Sequence, residues 1–192
     1  MCITSSTVIE DLLVLCRKDP KKKIAYWYFQ FSDDATQSVY NMMRSFIRQL
    51  STSPLPTAIN RLWKDHKIPG SDPGMNELAK ALDEVIDSLG GEVFIVMDAL
   101  DEYPQSEREE LLRVVLDLFH NHSENLHILV TSRPEHDIHS KLKSYPAMDI
   151  GTFVQNDVAQ FVRSALQSGA LKVWSDNIKR EIEERLLSTE ER

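Results

Sequence analysis

The sequence contains few cysteines and no long apolar run, and both absences narrow the choice of protein class. Only Cys2 and Cys16 occur, and they form no CxxC pair, so neither a disulfide framework nor a structural zinc site is predicted. No apolar stretch approaches the roughly 20 residues that a membrane helix needs. The first residues also lack the basic segment that begins a signal peptide. We therefore expect a cytoplasmic protein that makes no membrane contact.

An excess of basic residues is also missing. The 22 Lys and Arg residues are outnumbered by 30 Asp and Glu residues, which gives a formal net charge of -8. Binding to a nucleic-acid backbone depends on Lys and Arg that neutralise its phosphates, so nucleic acid is not an expected partner. The 192 residues are enough for one globular core with a small second subdomain.

Short apolar segments of the kind that form buried strands recur along the chain. Three strands are predicted from them, at Ile24–Phe31, Val93–Asp98 and Leu126–Val130, and Ala147–Ile150 is a candidate for a short last strand. Strands that alternate with helices are typical of a parallel sheet with helices on both faces. The predicted fold class is α/β.

Helices are predicted where apolar residues recur at helical spacing. The spacing of Ser106 and Glu109 is that of a capping box, and the pair Gly90 and Gly91 is expected to end a helix. The predicted helical segments are Ser5–Leu15, Gln37–Leu50, Thr57–Lys67, Met75–Gly91, Ser106–Phe119, Gln155–Leu166 and Asp176–Leu187.

Two predicted strands end in polar residues suited to metal and phosphate chemistry. Asp98, Asp101 and Glu102 follow the second strand, and Thr131–Arg133 follows the third. In parallel α/β sheets, ligands bind beyond the carboxyl ends of the strands. A carboxylate there suits Mg²⁺, a second carboxylate can orient an attacking water, and an Arg can bind a terminal phosphate. Either strand end alone is typical of an ordinary polar loop, but the two together favour phosphoryl chemistry.

Five segments resemble, in order and spacing, the fungal NACHT-type NTPases of the STAND class, in particular the nephrocystin-like N-terminal module found upstream of ankyrin or WD repeats. The segments are SSTVIEDL, YWYFQFSDDATQSVYNMMRSFIRQL, VFIVMDALDEY, LHILVTSRPE and DVAQFV. The resemblance implies a P-loop NTPase-like parallel sheet with flanking helices in residues 1–150. It implies the beginning of a helical subdomain in residues 151–192.

The resemblance also implies roles for the polar residues at the strand ends. Asp98 corresponds to the Walker B aspartate that binds magnesium, and Asp101 and Glu102 correspond to the acidic pair associated with water activation. Nucleotide contacts are implied for the residues after the third strand, which are Thr131, Ser132 and the sensor residue Arg133. The implied cofactors are Mg²⁺ and ATP or GTP.

One motif of that family does not occur in the sequence. The phosphate-binding loop GxxxxGK[ST] is absent, and alignment of the segment ITSSTVIEDL places Met1 and Cys2 at the positions of its Lys and its hydroxyl residue. We therefore expect a module truncated at both ends, without its first strand. The last strand near Met148 is expected to be poorly anchored, and the sheet is expected to have exposed edges.

Two functions are consistent with these features. In the first, the chain is part of a nucleotide-driven signalling switch, as the resemblance implies for fungal heterokaryon incompatibility proteins, with little or no hydrolysis by this chain alone. In the second, it is a non-catalytic interaction module that pairs with itself or with an intact relative. A gene fragment without a function is a third interpretation.

Overall fold

A parallel three-stranded sheet forms the centre of the first of two compact units. The computed structural model describes residues 3–68 and 71–188, and the chain divides into its two units between Leu142 and Lys143. The strands follow one another in the sheet in the order β1, β2, β3. Their bounds are Lys23–Tyr28 for β1, Val93–Asp98 for β2 and Leu126–Val130 for β3.

Helical connections return the chain to the same end of the sheet each time, as parallel pairing requires. The path from β1 to β2 contains α2 (Val39–Leu50), α3 (Thr57–Asp65) and α4 (Met75–Leu89), and the path from β2 to β3 contains α5 (Arg108–Asn121). The helix α1 (Ile3–Lys18) precedes β1, and α6 (His136–Leu142) follows β3. This confirms an α/β fold with a parallel sheet, an arrangement compatible with that of P-loop proteins.

The main hydrophobic core lies on one face of the sheet. Alternate residues of a strand point to the same face, and on β2 these are Ile95 and Met97, each only 1% exposed. They pack against Met42 and Phe46 of α2 and Leu82 of α4. The apolar stripes that predicted α2 and α4 are therefore the surfaces that these helices bury.

The helix α1 lies against the opposite face. Val96 of β2 and Ile9 of α1 are both buried, and a hydrogen bond joins Ser6 of α1 to the phenol of Tyr28. Tyr28 is beside Asp98 in the register of β1 and β2. Helices therefore cover both faces of the sheet, as predicted, and α1 covers the face on which Asp98 lies.

Each glycine of the pair after α4 is required for a different structural reason. Gly90 adopts a left-handed conformation with φ of 60°, which ends the helix as predicted. Gly91 lies against the turn before β1, where a Cβ atom would be 1.9 Å from the carbonyl oxygen of Lys21. The second glycine allows the close approach of the chain that begins β2.

In its described residues, 143–188, the second unit contains two helices and a 3₁₀ turn. The helix α7 spans Gly151–Gln167, the turn spans Gly169–Val173 and α8 spans Asp176–Ser188. An ion pair between Arg163 of α7 and Glu183 of α8 joins the two helices, with Nε and Oε1 2.7 Å apart. None of the helices in residues 3–68 and 71–188 is both long enough and apolar enough to cross a membrane.

Two local predictions were wrong. Ala147–Ile150 forms no strand and is exposed, because Asp149 accepts a hydrogen bond from the backbone N–H of Gly151 at 2.9 Å and the chain begins α7 instead. The capping box at Ser106 does not form either. A turn in which Glu107 N–H bonds to Pro104 O moves the start of α5 to Arg108, so Ser106 is not at the capping position.

Candidate functional site

Asp98 is a buried carboxylate at the carboxyl end of the central strand. Only 2% of the residue is exposed. If the strand simply left the core at this point, Asp98 would instead be exposed to solvent. The hydroxyl of Thr131, at the end of the neighbouring strand, donates a hydrogen bond to Asp98 Oδ1 at 2.6 Å. A buried carboxyl group needs polar partners, and this hydrogen bond from Thr131 supplies one.

Thr131 also fixes the backbone that follows Asp98. Its hydroxyl oxygen accepts a hydrogen bond from Ala99 N–H at 3.0 Å, and its carbonyl accepts one from Leu100 N–H at 2.9 Å. Thr131 N–H in turn donates to Met97 O at 2.9 Å. Thr131 therefore takes part in four hydrogen bonds, which determine where β2 ends and how the carboxylate of Asp98 is oriented.

The chain turns sharply at Ala99, directly after Asp98. Ala99 has φ of 58° and ψ of 50°, and in the described ranges it is the one residue other than glycine with a positive φ. The left-handed conformation is strained for an alanine and occurs where the surrounding structure enforces it. It brings Leu100–Glu102 into a 3₁₀ turn, which separates Asp98 from the next two carboxylates.

Asp101 and Arg133 connect the loops that follow β2 and β3. Asp101 Oδ1 accepts a hydrogen bond from Arg133 N–H at 3.0 Å, and its Oδ2 lies 3.2 Å from Arg133 Nε. The Asp101 side chain is 9% exposed and the Arg133 side chain 77% exposed. The structure therefore brings together four of the predicted residues. Asp98 contacts Thr131, and two residues further along the chain Arg133 contacts Asp101.

Glu102 points to a different loop. Its carboxylate Oε2 accepts a hydrogen bond from Phe31 N–H at 2.9 Å, and its carbonyl accepts one from Gln37 Nε2 at 3.0 Å. Both partners belong to the connection between β1 and α2. The two adjacent carboxylates thus hold different loops, and the pairing of Asp101 and Glu102 in one role stays a prediction. Ser132 is exposed beside Thr131.

Tyr28 contributes to the same end of the sheet. Burial raises the pKa of its phenol, and the nearby Tyr26 and Asp98 act in the same direction. The phenol therefore remains protonated at neutral pH, and its hydroxyl is a hydrogen-bond donor on the face of Asp98. An aromatic residue in an apolar strand gives no sequence signal for such a position.

Arg108 is a residue of this region that the sequence did not predict. It is only 4% exposed, and its guanidinium bonds to the carbonyls of Asp101 and Tyr103 and to the carboxylate of Asp137. One signal could have identified it. An Arg in the first turn of a helix is unfavourable to the helix dipole, so a basic residue there indicates a specific partner.

Asp98 is the one buried carboxylate at this end of the sheet among the residues predicted for the site. Across the part of the chain that the structure describes, no three His, Cys, Asp or Glu side chains converge in a group that could hold a metal ion. Magnesium typically uses only one or two carboxylates, with waters and phosphate oxygens as the other ligands. Asp98 can supply one such carboxylate at the end of the sheet where ligands bind.

Comparison with known proteins identifies the family. The family model described as Nephrocystin 3, N-terminal, matches residues 2–133, which is more than half of the chain and includes Asp98 and Arg133. No curated protein and no solved structure matches the chain. The chain belongs to the nephrocystin 3 N-terminal family.

Proposed function

We propose that the chain is the magnesium-binding part of a nucleoside triphosphatase module of the NACHT type and STAND class, which acts in cytoplasmic signalling. One observation carries the proposal. Asp98 is buried at the carboxyl end of the central strand, and a hydroxyl from the adjacent strand holds it at 2.6 Å. This is the end of a parallel sheet at which phosphate ligands and their metal ions bind.

In this proposal Asp98 holds Mg²⁺, directly or through a water. The ion would neutralise negative charge on the phosphates of ATP or GTP. Arg133 supplies the cation for a terminal phosphate, since its side chain is 77% exposed. Asp101 bonds to Arg133 through both of its oxygens, and it becomes available to orient water when Arg133 turns to a phosphate. Thr131 orients Asp98, and Glu102 and Ser132 complete the polar rim.

The expected rate of hydrolysis by this chain is low. Phosphates in P-loop proteins are held mainly by the backbone amides and the Lys of GxxxxGK[ST], and the 192 residues contain no such motif. The proposed role of these residues is therefore to bind magnesium with the nucleotide. Efficient turnover needs phosphate contacts from outside this sequence.

The test is a titration of the purified chain with a fluorescent ATP analogue, with and without Mg²⁺. We expect weak, saturable binding that depends on magnesium and that Asp98→Asn abolishes. Asp117→Asn is the matched control, because it makes the same change at an exposed position of α5. Binding that survives in Asp98→Asn, or that needs no magnesium, contradicts the proposal.

A second proposal is a non-catalytic interaction module, and a difference between the two sheet edges favours it. On the outer edge of β1, the Gln49 amide donates to Tyr26 O at 2.9 Å and accepts from Tyr26 N–H at 3.0 Å. β3 pairs only with β2 among the described strands, and its Leu129 is 40% exposed. An unprotected edge strand can pair with an extended segment of another chain.

Self-association tests this second proposal. If β3 pairs with another chain, the purified protein forms dimers or larger species as its concentration rises, measured by light scattering after size exclusion. Leu129→Lys adds an exposed charge to the edge strand and shifts the protein towards the monomer. Trp63→Lys is the control, since Trp63 is 71% exposed on α3, away from β3. A wild-type chain that is monomeric at all concentrations contradicts self-pairing through β3.

A further inference from the structure

Arg108 is a buried charge in an electrostatically unfavourable place. It is the first residue of α5, and its side chain is 5% exposed. A cation near a helix N-terminus is repelled by the positive end of the helix dipole, and its burial removes it from water. Both effects oppose an Arg at this position, so its contacts must compensate for them.

The guanidinium of Arg108 joins the loops that follow β2 and β3. Nη2 donates hydrogen bonds to Asp101 O at 2.8 Å and to Tyr103 O at 3.0 Å, within the first loop. Nη1 donates to both carboxylate oxygens of Asp137, at 3.0 and 2.9 Å. Asp137 lies in the first turn of α6, four residues after Arg133 in the chain, so the second loop is held at its far end.

The same two loops are joined a second time at the surface. Asp101 there binds Arg133 through its side chain, while its carbonyl binds Arg108. In the Asp101–Arg133 pair the Arg133 side chain is 77% exposed, and an ion pair with one partner in water gains little by itself. In the Arg108–Asp137 pair the Arg108 side chain is 5% exposed and the Asp137 side chain 33% exposed, so solvent and salt screen this pair less than the Asp101–Arg133 pair. Of the two connections, the buried one is able to set the distance between the loops.

We infer that Arg108 and Asp137 are positioning residues that hold Asp101 and Arg133 in register with each other. They touch no ligand themselves and act through the backbone of the two loops. The inference rests on the proposed function only in treating Asp101 and Arg133 as residues of the site. The cross-link is a separate physical claim that can be measured without metal or nucleotide.

The geometry requires an Arg at this position. Two different nitrogens of one rigid, planar guanidinium reach the carbonyls on one side and the carboxylate on the other. A lysine keeps the positive charge beside Asp137, but its single nitrogen cannot reach both sets of acceptors at once. Arg108→Lys therefore separates the positioning role from the requirement for a buried cation.

The experiment is amide hydrogen exchange by NMR on the metal-free chain. In Arg108→Lys and in Asp137→Asn, we expect the Arg133 amide, which bonds to Asp101, to exchange at least tenfold faster than in the wild type. The amides of β2 are expected to keep their rates. Glu109→Gln is the matched control, since it breaks the exposed pair with Lys141 that also joins α5 and α6. It is expected to leave the Arg133 rate unchanged.

Two results overturn the inference. One is an unchanged Arg133 rate in a folded Arg108→Lys chain, and the other is an equal acceleration at Arg133 and throughout β2, which indicates a general loss of stability. If Asp137→Asn does not fold, Arg108→Lys decides alone. A titration of the wild type with Mg²⁺ and the ATP analogue is run in parallel. Its failure contradicts the proposed function and leaves the exchange result standing.

Discussion

The site has an inner part and an outer part that are built in different ways. The inner part consists of Asp98, Ala99 and Thr131, and it is fixed by hydrogen bonds between adjacent strand ends at 2.6 and 3.0 Å. The outer part consists of Asp101, Glu102 and Arg133. Its bonds run to exposed loops, and the Arg133 side chain is 77% exposed.

The inner part has a fixed geometry before a ligand binds, whereas the side chains of the outer part can change their partners when a ligand binds. A buried carboxylate with a fixed partner keeps its geometry and so is pre-organised for a cation. An ion pair in water contributes about 1 kcal/mol or less, which a phosphate can readily replace. In the proposed site the inner part would hold the metal ion, and the outer part would provide groups that can exchange partners.

The largest effect on stability is expected at Arg108, which joins the loop that carries Asp101 to α6. Arg108→Met removes the donor from Asp137 and from two carbonyls. We expect the free energy of unfolding to fall by about 3 kcal/mol, because three groups each lose a hydrogen-bond partner worth about 1 kcal/mol. Urea denaturation measures this change.

Lys141→Met is the control for that measurement. It removes the exposed partner of Glu109 between the same two helices, and we expect a change of less than about 1 kcal/mol. Equal losses in the two variants would show that the burial of Arg108 makes no difference.

The next effect is expected within the inner part. Thr131→Val keeps the shape of the side chain but removes the hydroxyl that bonds to Asp98 and Ala99. We expect a loss of about 2 kcal/mol in denaturant unfolding, because two buried polar groups lose a partner. Thr131→Ser keeps the hydroxyl and is expected to lose less than half as much. A valine variant as stable as the wild type would contradict the described role of Thr131.

A smaller effect of opposite sign is expected at Ala99. Glycine adopts a positive φ without the steric cost that alanine carries, although it loses more entropy on folding. We expect Ala99→Gly to raise the free energy of unfolding by about 0.5 kcal/mol, measured by the same denaturation. Ala79→Gly in α4, where the backbone is helical, is the control and is expected to lower it by about 1 kcal/mol. Equal destabilisation in the two variants would contradict strain at Ala99.

The smallest effect is expected in the outer part. Arg133→Gln removes an exposed ion pair, so the free energy of unfolding should change by less than about 1 kcal/mol. The same variant is expected to weaken magnesium-dependent binding of the ATP analogue severalfold. A loss of stability as large as that of Thr131→Val would show that the contacts of the outer part contribute as much to folding as those of the inner part.

The sequence predicted the elements that their own composition determines. The apolar run Val93–Met97 and the stripes of α2 and α4 identified β2 and both helices, because burial and periodicity act within each segment. The short helix α6 was not predicted, since it spans only His136–Leu142 and Ile138 is its one buried residue. Ala147–Ile150 was wrongly read as a strand because a turn signal at Asp149 outweighs three apolar neighbours.

The residues of the candidate site could be predicted from the sequence, but the hydrogen bonds and ion pairs between them could not. Carboxylates after β2 and an Arg after β3 stand out from the apolar runs before them. The separation of Asp101 from Glu102 depends on the left-handed Ala99 and on the distant Phe31 N–H. The contacts of Arg108 likewise depend on α6 packing beside α5, and no pattern within either segment specifies it.

The most direct test of the central claim locates the metal ion. The ¹⁵N-labelled chain is titrated with Mn²⁺ and ATP, in which the paramagnetic ion broadens NMR signals of amides close to it. The account predicts that the amides of Ala99 and Thr131 broaden first in the wild type and not in Asp98→Asn. Broadening that begins elsewhere, or that is the same in Asp98→Asn, would contradict a magnesium site at Asp98.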